Sequence, residues 1–336
     1  LRSRKPVKRY TCPQANLSNN KITKKDSFLK SFLWFIFMVK KSHTITKTMA
    51  KTITKTMAKT ITKTRPFFAT QILSQQNLQN MLHSNVLKAP YLFNPGRLKF
   101  LSVSYYDFDR KIQNDGKIIV LDAVAPMVIN IFKKLLQQKF PLQQVKLMDE
   151  FKGDDYLAME ANNSSAFNQR LIADTNEVSI HSYGLAIDIN PLQNPVITLN
   201  YENGAARYFP TQGIKYANRL KNIDCKTESF GFAESVVKIF YNNGFNIWGG
   251  NWDNPIDYHH FQTSRKLAGL LITMDKKDAG TFFKWHVKFL RNNFYNNGQE
   301  LVNALVCDFG YNLAENYISD QKKFMRKASQ FIKEAL

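Results

Sequence analysis

Two short stretches decide how this chain is read: Ser179–Pro191, SIHSYGLAIDINP, and Gly244–Phe261, GFNIWGGNWDNPIDYHHF. In the first, Leu185, Ile187 and Ile189 alternate with Ala186, Asp188 and Asn190, which predicts a strand over Leu185–Asn190. Asp188 leaves the core face of that strand beside a small neighbour. Gly184 permits a turn that carries His181 back towards Asp188. Two readings stay open for this pair: polar residues at a strand entrance facing solvent, or an imidazole and a carboxylate converging as zinc ligands. In the second stretch Asp257 stands three residues before His260, close enough for one to hold a metal while the other serves a water on it. A catalytic zinc needs three protein ligands and an open position, and His181, Asp188 and His260 would supply the three. Asp257 would then be the general base. Three of the six histidines, His181, His259 and His260, fall in these two stretches. The alternative for the second stretch is a pair of loop histidines packed beside Trp248 and Trp252.

Working outward, Lys117–Leu121 predicts a strand. Val124, Met127, Val128, Ile131, Phe132 and Leu135 then follow at helical spacing, giving a helix that ends near Lys139 before Pro141. Val145–Met148 predicts a second strand. Lys152–Glu177 is polar, and a loop of that length is either functional or disordered. Phe232, Ala233, Val236, Val237 and Phe240 predict another helix, closed by Asn242-Asn243-Gly244. Beyond Phe261 the chain reads as helical over Leu267–Met274, Ala279–Phe294 and Leu301–Leu336. The expected fold is α+β: a small antiparallel sheet with flanking helices holding a mononuclear zinc site at residues 98–264, and a helical C-terminal extension at 265–336. Residues 1–90 are expected to be a basic, low-complexity tail without structure.

Charge separates that tail from the rest. Of 336 residues, 47 are Lys or Arg and 26 Asp or Glu, a net charge of +21. Residues 1–65 hold 17 of the bases and one acid, Asp26, leaving 30 bases against 25 acids on everything after them. The basic character describes a tail, so it is weak evidence that the folded part binds nucleic acid. The octad TITKTMAK occupies Thr44–Lys51 and Thr52–Lys59 and begins again at Thr60–Lys63. Without acids or aromatics it cannot bury enough surface to fold alone, though its isoleucines and methionines every four residues suit contact with an anionic envelope surface. The apolar run Phe32–Val39 is too short to span a bilayer, where about 20 residues are needed. It resembles a cramped signal-peptide core without a small-x-small cleavage site. Cys12, Cys225 and Cys307 lie far apart and form no zinc-ribbon or redox motif.

The pattern Ser-x-His-x-x-Gly-x-Ala-x-Asp, followed by Trp-Gly-Gly-x-Trp and Asp-x-x-His-Phe, resembles the VanY-like zinc D-alanyl-D-alanine carboxypeptidase and L-alanyl-D-glutamate peptidase family. Asn162–Arg170, NNSSAFNQR, is similar to the loop that carries that family's substrate-binding arginine. The resemblance covers roughly residues 100–264. It implies zinc bound by His181, Asp188 and His260, with Asp257 as catalytic base and Arg170 as clamp for a substrate carboxylate. A guanidinium meets a carboxylate bidentately, which lysine cannot reproduce. Ser179, His259 and Trp248 are the further substrate-contact candidates. Ser179 reads equally as a turn hydroxyl, His259 as packing, and Trp248 with Trp252 as pocket walls. Two departures stand out: Asp257 is shorter than the Glu of some relatives, and Gln169 replaces a Cys of close ones.

The implied function is zinc-dependent hydrolysis of peptidoglycan stem peptides, either as a D-Ala-D-Ala carboxypeptidase or as an L-Ala-D-Glu endopeptidase, by an exported protein of the cell envelope or periplasm. The main alternative is a catalytically silent module that binds cell-wall peptide. A metal-dependent nuclease is disfavoured, because residues 101–200 hold 9 bases and 12 acids. Nothing in the sequence sets the oligomeric state.

Overall fold

The computed structural model describes residues 65–173, 175–219, 230–292 and 300–335. The octad repeat and the Phe32–Val39 run lie outside the described residues, as do Cys12 and Cys225. Everything described belongs to one compact unit.

Folded elements begin earlier than the composition suggests. Strand β1 (Phe68–Ile72) and helix α1 (Gln75–His83) fall inside the stretch expected to be a tail. Residues 66–90 lack the Thr/Lys repeat, and β1 pairs antiparallel with β2 (Leu98–Tyr106), placing Phe68 opposite Val103. Ser74 caps α1 through a reciprocal capping box with Asn77. Strand β2 then pairs with β3 (Ile112–Leu121), which starts five residues before the predicted strand, with an irregularity between Val103 and Tyr105.

Period-two alternation on this sheet builds two cores. Leu101, Val103, Tyr105, Ile118 and Val120 face the main core. Leu98 and Ile119 face a smaller one shared with Met81, Val86, Leu87, Met148 and Phe167. Helix α2 (Ala125–Gln137) follows its predicted pattern and buries Val128, Ile131, Phe132 and Leu135.

The polar stretch expected to be a loop is built in part and buried over Asn162–Asn168, while Tyr156, Leu157 and Leu171 stay exposed. Of the strand predicted over Val145–Met148 only Val145 is in β4 (Gln144–Val145), and a 3-10 turn, Met148–Phe151, begins at its last residue. Helix α3 (Asp155–Glu160) is capped by Asp154, whose carboxylate accepts from the Tyr156 and Leu157 amides. Strand β5 (Asn163–Ser164) runs parallel to β4. Asn162, Asn163, Ser164 and Asn168 are buried because their side chains substitute for main-chain partners. Asn163 accepts from the Lys146 amide at 2.8 Å and donates to the Lys146 carbonyl at 3.0 Å. Asn162 accepts from the Leu192 amide at 2.9 Å.

Strand β6 (Ala186–Asp188) carries the predicted alternation, with Leu185, Ile187 and Ile189 fully enclosed. Strands β7 (Val196–Leu199) and β8 (Ala206–Phe209) form an antiparallel pair. The predicted helix near Phe232–Phe240 is interrupted: a 3-10 turn at Ala233–Ser235 precedes the short helix α4 (Val237–Tyr241). Strands β9 (Ile247–Trp248), β10 (Ile256–Asp257) and β11 (His260–Gln262) complete two small sheets, ordered β6-β11-β9 and β10-β7-β8.

Helices α5 (Arg265–Thr273), α6 (Lys276–Asn292), α7 (Leu301–Phe309), α8 (Leu313–Ser319) and α9 (Gln321–Ala335) follow. The long helix predicted from Leu301 is three, broken at Gly310 (φ 71°) and again near Asp320. Their apolar faces are continuous with the main core: Leu271, Phe282, Phe283, Leu305, Tyr317 and Phe324 cluster with residues of β2, β3, β6 and β11. Each fully buried side chain of this kind contributes roughly 1.5–3 kcal/mol. Arg97 adds a polar tie. Its guanidinium pairs bidentately with Asp122 at 2.8 and 2.9 Å and donates to the Met274 and Leu271 carbonyls at the end of α5. The fold is thus mixed α and β, with small antiparallel sheets and several helices.

Candidate metal centre

Strand register brings two of the candidate ligands together. Asp188 on β6 lies opposite His260 on β11. The Asp188 main chain exchanges both of its hydrogen bonds with Ser165, at 2.9 and 3.0 Å, on the other side of the strand. Its pairing with His260 is therefore of the non-hydrogen-bonded kind, in which facing side chains approach most closely. His181 arrives from the turn before β6. Ser179 caps that turn by accepting from the His181 amide at 3.3 Å, and Gly184 ends it at φ +66°. A Cβ on Gly184 would stand 2.7 Å from the Leu121 amide nitrogen, so the turn presses on β3 as only glycine allows.

The three side chains form a triangle. His181 Nε2 is 3.1 Å from Asp188 Oδ2 and 3.2 Å from His260 Nδ1, and His260 Nδ1 is 3.0 Å from Asp188 Oδ1. The outer nitrogens are committed elsewhere: His181 Nδ1 lies 2.5 Å from the Ala166 carbonyl, and His260 Nε2 lies 2.7 Å from Gln262 Oε1. A carbonyl or amide oxygen can only accept, so each outer nitrogen carries hydrogen and each inner one turns a lone pair inward. Three electron-pair donors converging at about 3 Å repel one another unless a cation sits among them. Four ligands around zinc at 2.0–2.1 Å would be about 3.3 Å apart, so the triangle has the dimensions zinc requires. Two imidazoles and a carboxylate are also zinc-type donors.

With the protein's own groups alone, a proton takes the cation's part. Burial raises the Asp188 carboxyl, but the charges of His181 and His259 and hydrogen bonds from His181 and His260 outweigh it and hold it well below the ordinary carboxylate range. Burial lowers His260, yet the Asp188 hydrogen bond and charge, with Asp257 and Gln262 adding to them, raise it to about 9.

Asp257 sits on β10, and its Oδ1 is buried without a hydrogen-bond partner among the described residues. His259 Nε2 stands 3.2 Å from that oxygen and 3.9 Å from Asp188 Oδ2. The Trp-Gly-Gly-x-Trp motif has a steric origin: a Cβ on Gly249 would lie 2.5 Å from the Asp257 carbonyl oxygen, and one on Gly250 would lie 2.3 Å from the Trp248 ring. The two glycines let this strand end close over Asp257.

The other expected site residues divide. Arg170 follows the buried asparagine segment, and its amide donates to Ser182 Oγ at 2.9 Å, beside the His181 turn. Its guanidinium Nε pairs with Asp155, which Asn168 also holds at 2.9 Å. Ser179 is buried with its hydroxyl oxygen used on the His181 amide, so it shapes the turn of a candidate ligand. Trp248 donates its indole N–H to the Tyr258 carbonyl at 2.9 Å and stacks towards Phe261, which makes it part of the core edge. Trp252 is the indole beside a candidate ligand, 5.4 Å from the His260 ring. Gln169 ties in the N-terminal segment by accepting from the Lys88 amide at 3.1 Å. Gln262, the Ala166 carbonyl and the Asn194 carbonyl, which lies 2.9 Å from His259 Nδ1, escaped the sequence reading. Of these, only Gln262, two residues past His260 on β11, carried a signal: the same face as that candidate ligand.

Residues 173–263 match a family model described as D-alanyl-D-alanine carboxypeptidase. That segment holds His181, Asp188, Asp257 and His260 and leaves Arg170 just outside. No curated protein and no solved structure gives a significant match. The match bears out the resemblance carried by the two motif stretches and supports a peptidase related to peptidoglycan.

Proposed function

We propose that this protein is a zinc-dependent peptidase that hydrolyses peptidoglycan stem peptides, as a D-Ala-D-Ala carboxypeptidase or an L-Ala-D-Glu endopeptidase. The observation that carries the reading is the inward-turned donor triangle of His181, Asp188 and His260, lying within the segment that matches the carboxypeptidase family. Zinc held there supplies a Lewis acid for the scissile carbonyl and lowers the pKa of water towards about 7. Asp257 takes a proton from the attacking water and returns it to the leaving amine. Arg170, its Nε engaged by Asp155, meets a free substrate carboxylate with its terminal nitrogens. Trp252 walls the cleft beside His260. The substrate class places the working site outside the cytoplasm, where the basic segment before residue 66 would contact anionic envelope polymers.

Incubation with defined muropeptides, one set ending in D-Ala-D-Ala and one carrying L-Ala-D-Glu, followed by product mass, tests the reading and selects the bond. Chelator should abolish cleavage, and Asp257→Asn should lower kcat by about 10²–10⁴ while zinc is retained. Cleavage that survives chelation overturns the zinc mechanism. Stoichiometric zinc with tight peptide binding and no product converts the protein to the silent binding module.

A further inference from the structure

We propose that Asp155 is the positioning residue of the substrate clamp: it holds the Nε edge of Arg170, so that the guanidinium meets a free carboxylate end-on and discriminates against a carboxamide. The inference rests on the peptidase reading, in which Arg170 binds a substrate carboxylate.

Both ends of Arg170 are anchored by the protein. Its main chain is tied to the turn that carries His181: the Arg170 amide donates to Ser182 Oγ at 2.9 Å, and its carbonyl accepts from Ser182 Oγ at 2.8 Å and from the Ser179 amide at 3.0 Å. Its side chain forms an ion pair through Nε with Asp155 Oδ2, at the first position of α3. Asp155 is itself held, because its Oδ1 accepts from Asn168 Nδ2 at 2.9 Å. The same Asn168 nitrogen donates to the Gly153 carbonyl at 3.0 Å, and the Asn168 amide donates to the His181 carbonyl at 3.3 Å. Asn168 is buried. The start of α3 and the His181 turn are thus bridged twice, once through Arg170 and once through Asn168.

How the guanidinium nitrogens are divided decides what Arg170 can grip. Asp155 takes Nε, and Nη1 gives one of its two hydrogens to the Leu171 carbonyl at 3.3 Å. Nη2 makes no hydrogen bond among the described residues. The Nη1–Nη2 edge is therefore the one left for a ligand, and the side chains of Arg170 and Asp155 are 28% and 30% exposed, open enough to be reached. A carboxylate accepts two parallel bonds on that edge. A carboxamide offers one acceptor oxygen and a nitrogen that only donates, so it matches half of the fork. A long side chain left free to rotate must be ordered by its ligand; Asp155 orders it in advance, which tightens binding.

The test uses zinc-loaded wild type, Asp155→Ala and Asp155→Asn, with the muropeptide that the wild type cleaves and the same compound with its carboxylates converted one at a time to carboxamides. In wild type, one of these amides should raise KM about 10–100-fold over the parent. In Asp155→Ala the KM of the parent should rise towards that of the amide, with kcat and zinc stoichiometry within about twofold of wild type. Asp155→Asn, which keeps an acceptor oxygen, should recover part of the loss. A merely structural role would raise both KM values alike and preserve their ratio. A second readout needs no turnover: in nitrogen NMR the Arg170 Nε signal, assigned with Arg170→Lys, should move in Asp155→Ala. A wild type indifferent to every amide, an unchanged carboxylate-to-amide ratio in Asp155→Ala, zinc lost in that variant, or an Nε signal that does not respond each overturns the proposal. If Asp155→Ala fails to fold, the same ratio and signal in Asp155→Asn decide. A wild type that cleaves no muropeptide, yet shows the Nε response, defeats the peptidase reading and supports the Asp155–Arg170 link.

Discussion

His260 and His286 are both buried, one on β11 at the candidate metal centre and one on α6 in the helical region, and their surroundings drive them in opposite directions. For His286, burial is the main influence. A contact with the Gly244 backbone opposes it only in part and falls short of an aligned hydrogen bond, so the ring is pushed down to about 4. His260 suffers the same desolvation, but the Asp188 carboxylate beside it reverses the outcome and raises it to about 9. Burial alone makes a histidine a neutral piece of core, here packed near Phe283. Burial with a facing carboxylate and a second imidazole makes a place that demands positive charge. The first kind belongs to stability, and the second is what a candidate metal centre offers.

The sharpest way to break the contrast is His260→Ala. It should abolish stoichiometric zinc binding, a loss larger than the 10–100-fold that follows removal of a ligand's hydrogen-bond partner. It should also remove the metal-dependent rise in melting stability, about 4 kcal/mol in wild type at a thousandfold excess of zinc over Kd. Metal titration followed by thermal unfolding measures both, and a variant that still binds one zinc refutes the ligand assignment.

Next in size is the acid response of His286. Its folded value lies below the unfolded 6.5, so the unfolded chain takes up the proton first and stability falls as pH drops from about 6.5 towards 4. The loss amounts to about 3 kcal/mol by pH 4. Denaturant midpoints at pH 7 and pH 4 should therefore lie closer together in His286→Leu than in wild type. An unchanged gap would mean that His286 is not the group responsible.

The smallest expected effect is that of Gln262→Leu. Freed from Gln262, His260 Nε2 no longer fixes the ring, and zinc affinity should fall about 10–100-fold with the fold intact. Competition against a chelator of known affinity reads this directly, and unchanged affinity would show that strand pairing alone orients the ring.

Much of the site was legible because its signals are local. The alternation of Leu185–Asn190 marks a strand, Gly184 marks its turn, and the spacing of Asp257 and His260 marks a candidate pair. What was misread shares one cause: residues judged by their usual surroundings. Asn162, Asn163, Ser164 and Asn168 look like a surface loop because asparagine and serine are ordinarily exposed, yet here their side chains complete the hydrogen bonding of short strands. Ser179, which reads equally as a turn hydroxyl, has its oxygen on the His181 amide, and Trp248 has its indole N–H on the Tyr258 carbonyl, partners that only the folded chain supplies. The break at Gly310 was hidden by a hydrophobic period that continues on either side of it.

By itself the sequence determined the identities of the donors, the strand that carries Asp188 and the uneven charge that separates the tail from the rest, since each depends on neighbours within a few residues. Tertiary structure alone decided that Asp188 faces His260 across 72 residues of chain. It also decided that the outer nitrogens are tied so that the inner lone pairs converge, and that His259 Nε2 stands 3.2 Å from Asp257 Oδ1. Those relations depend on strand register and on partners distant in sequence, and a register shifted by one residue would turn His260 away from Asp188.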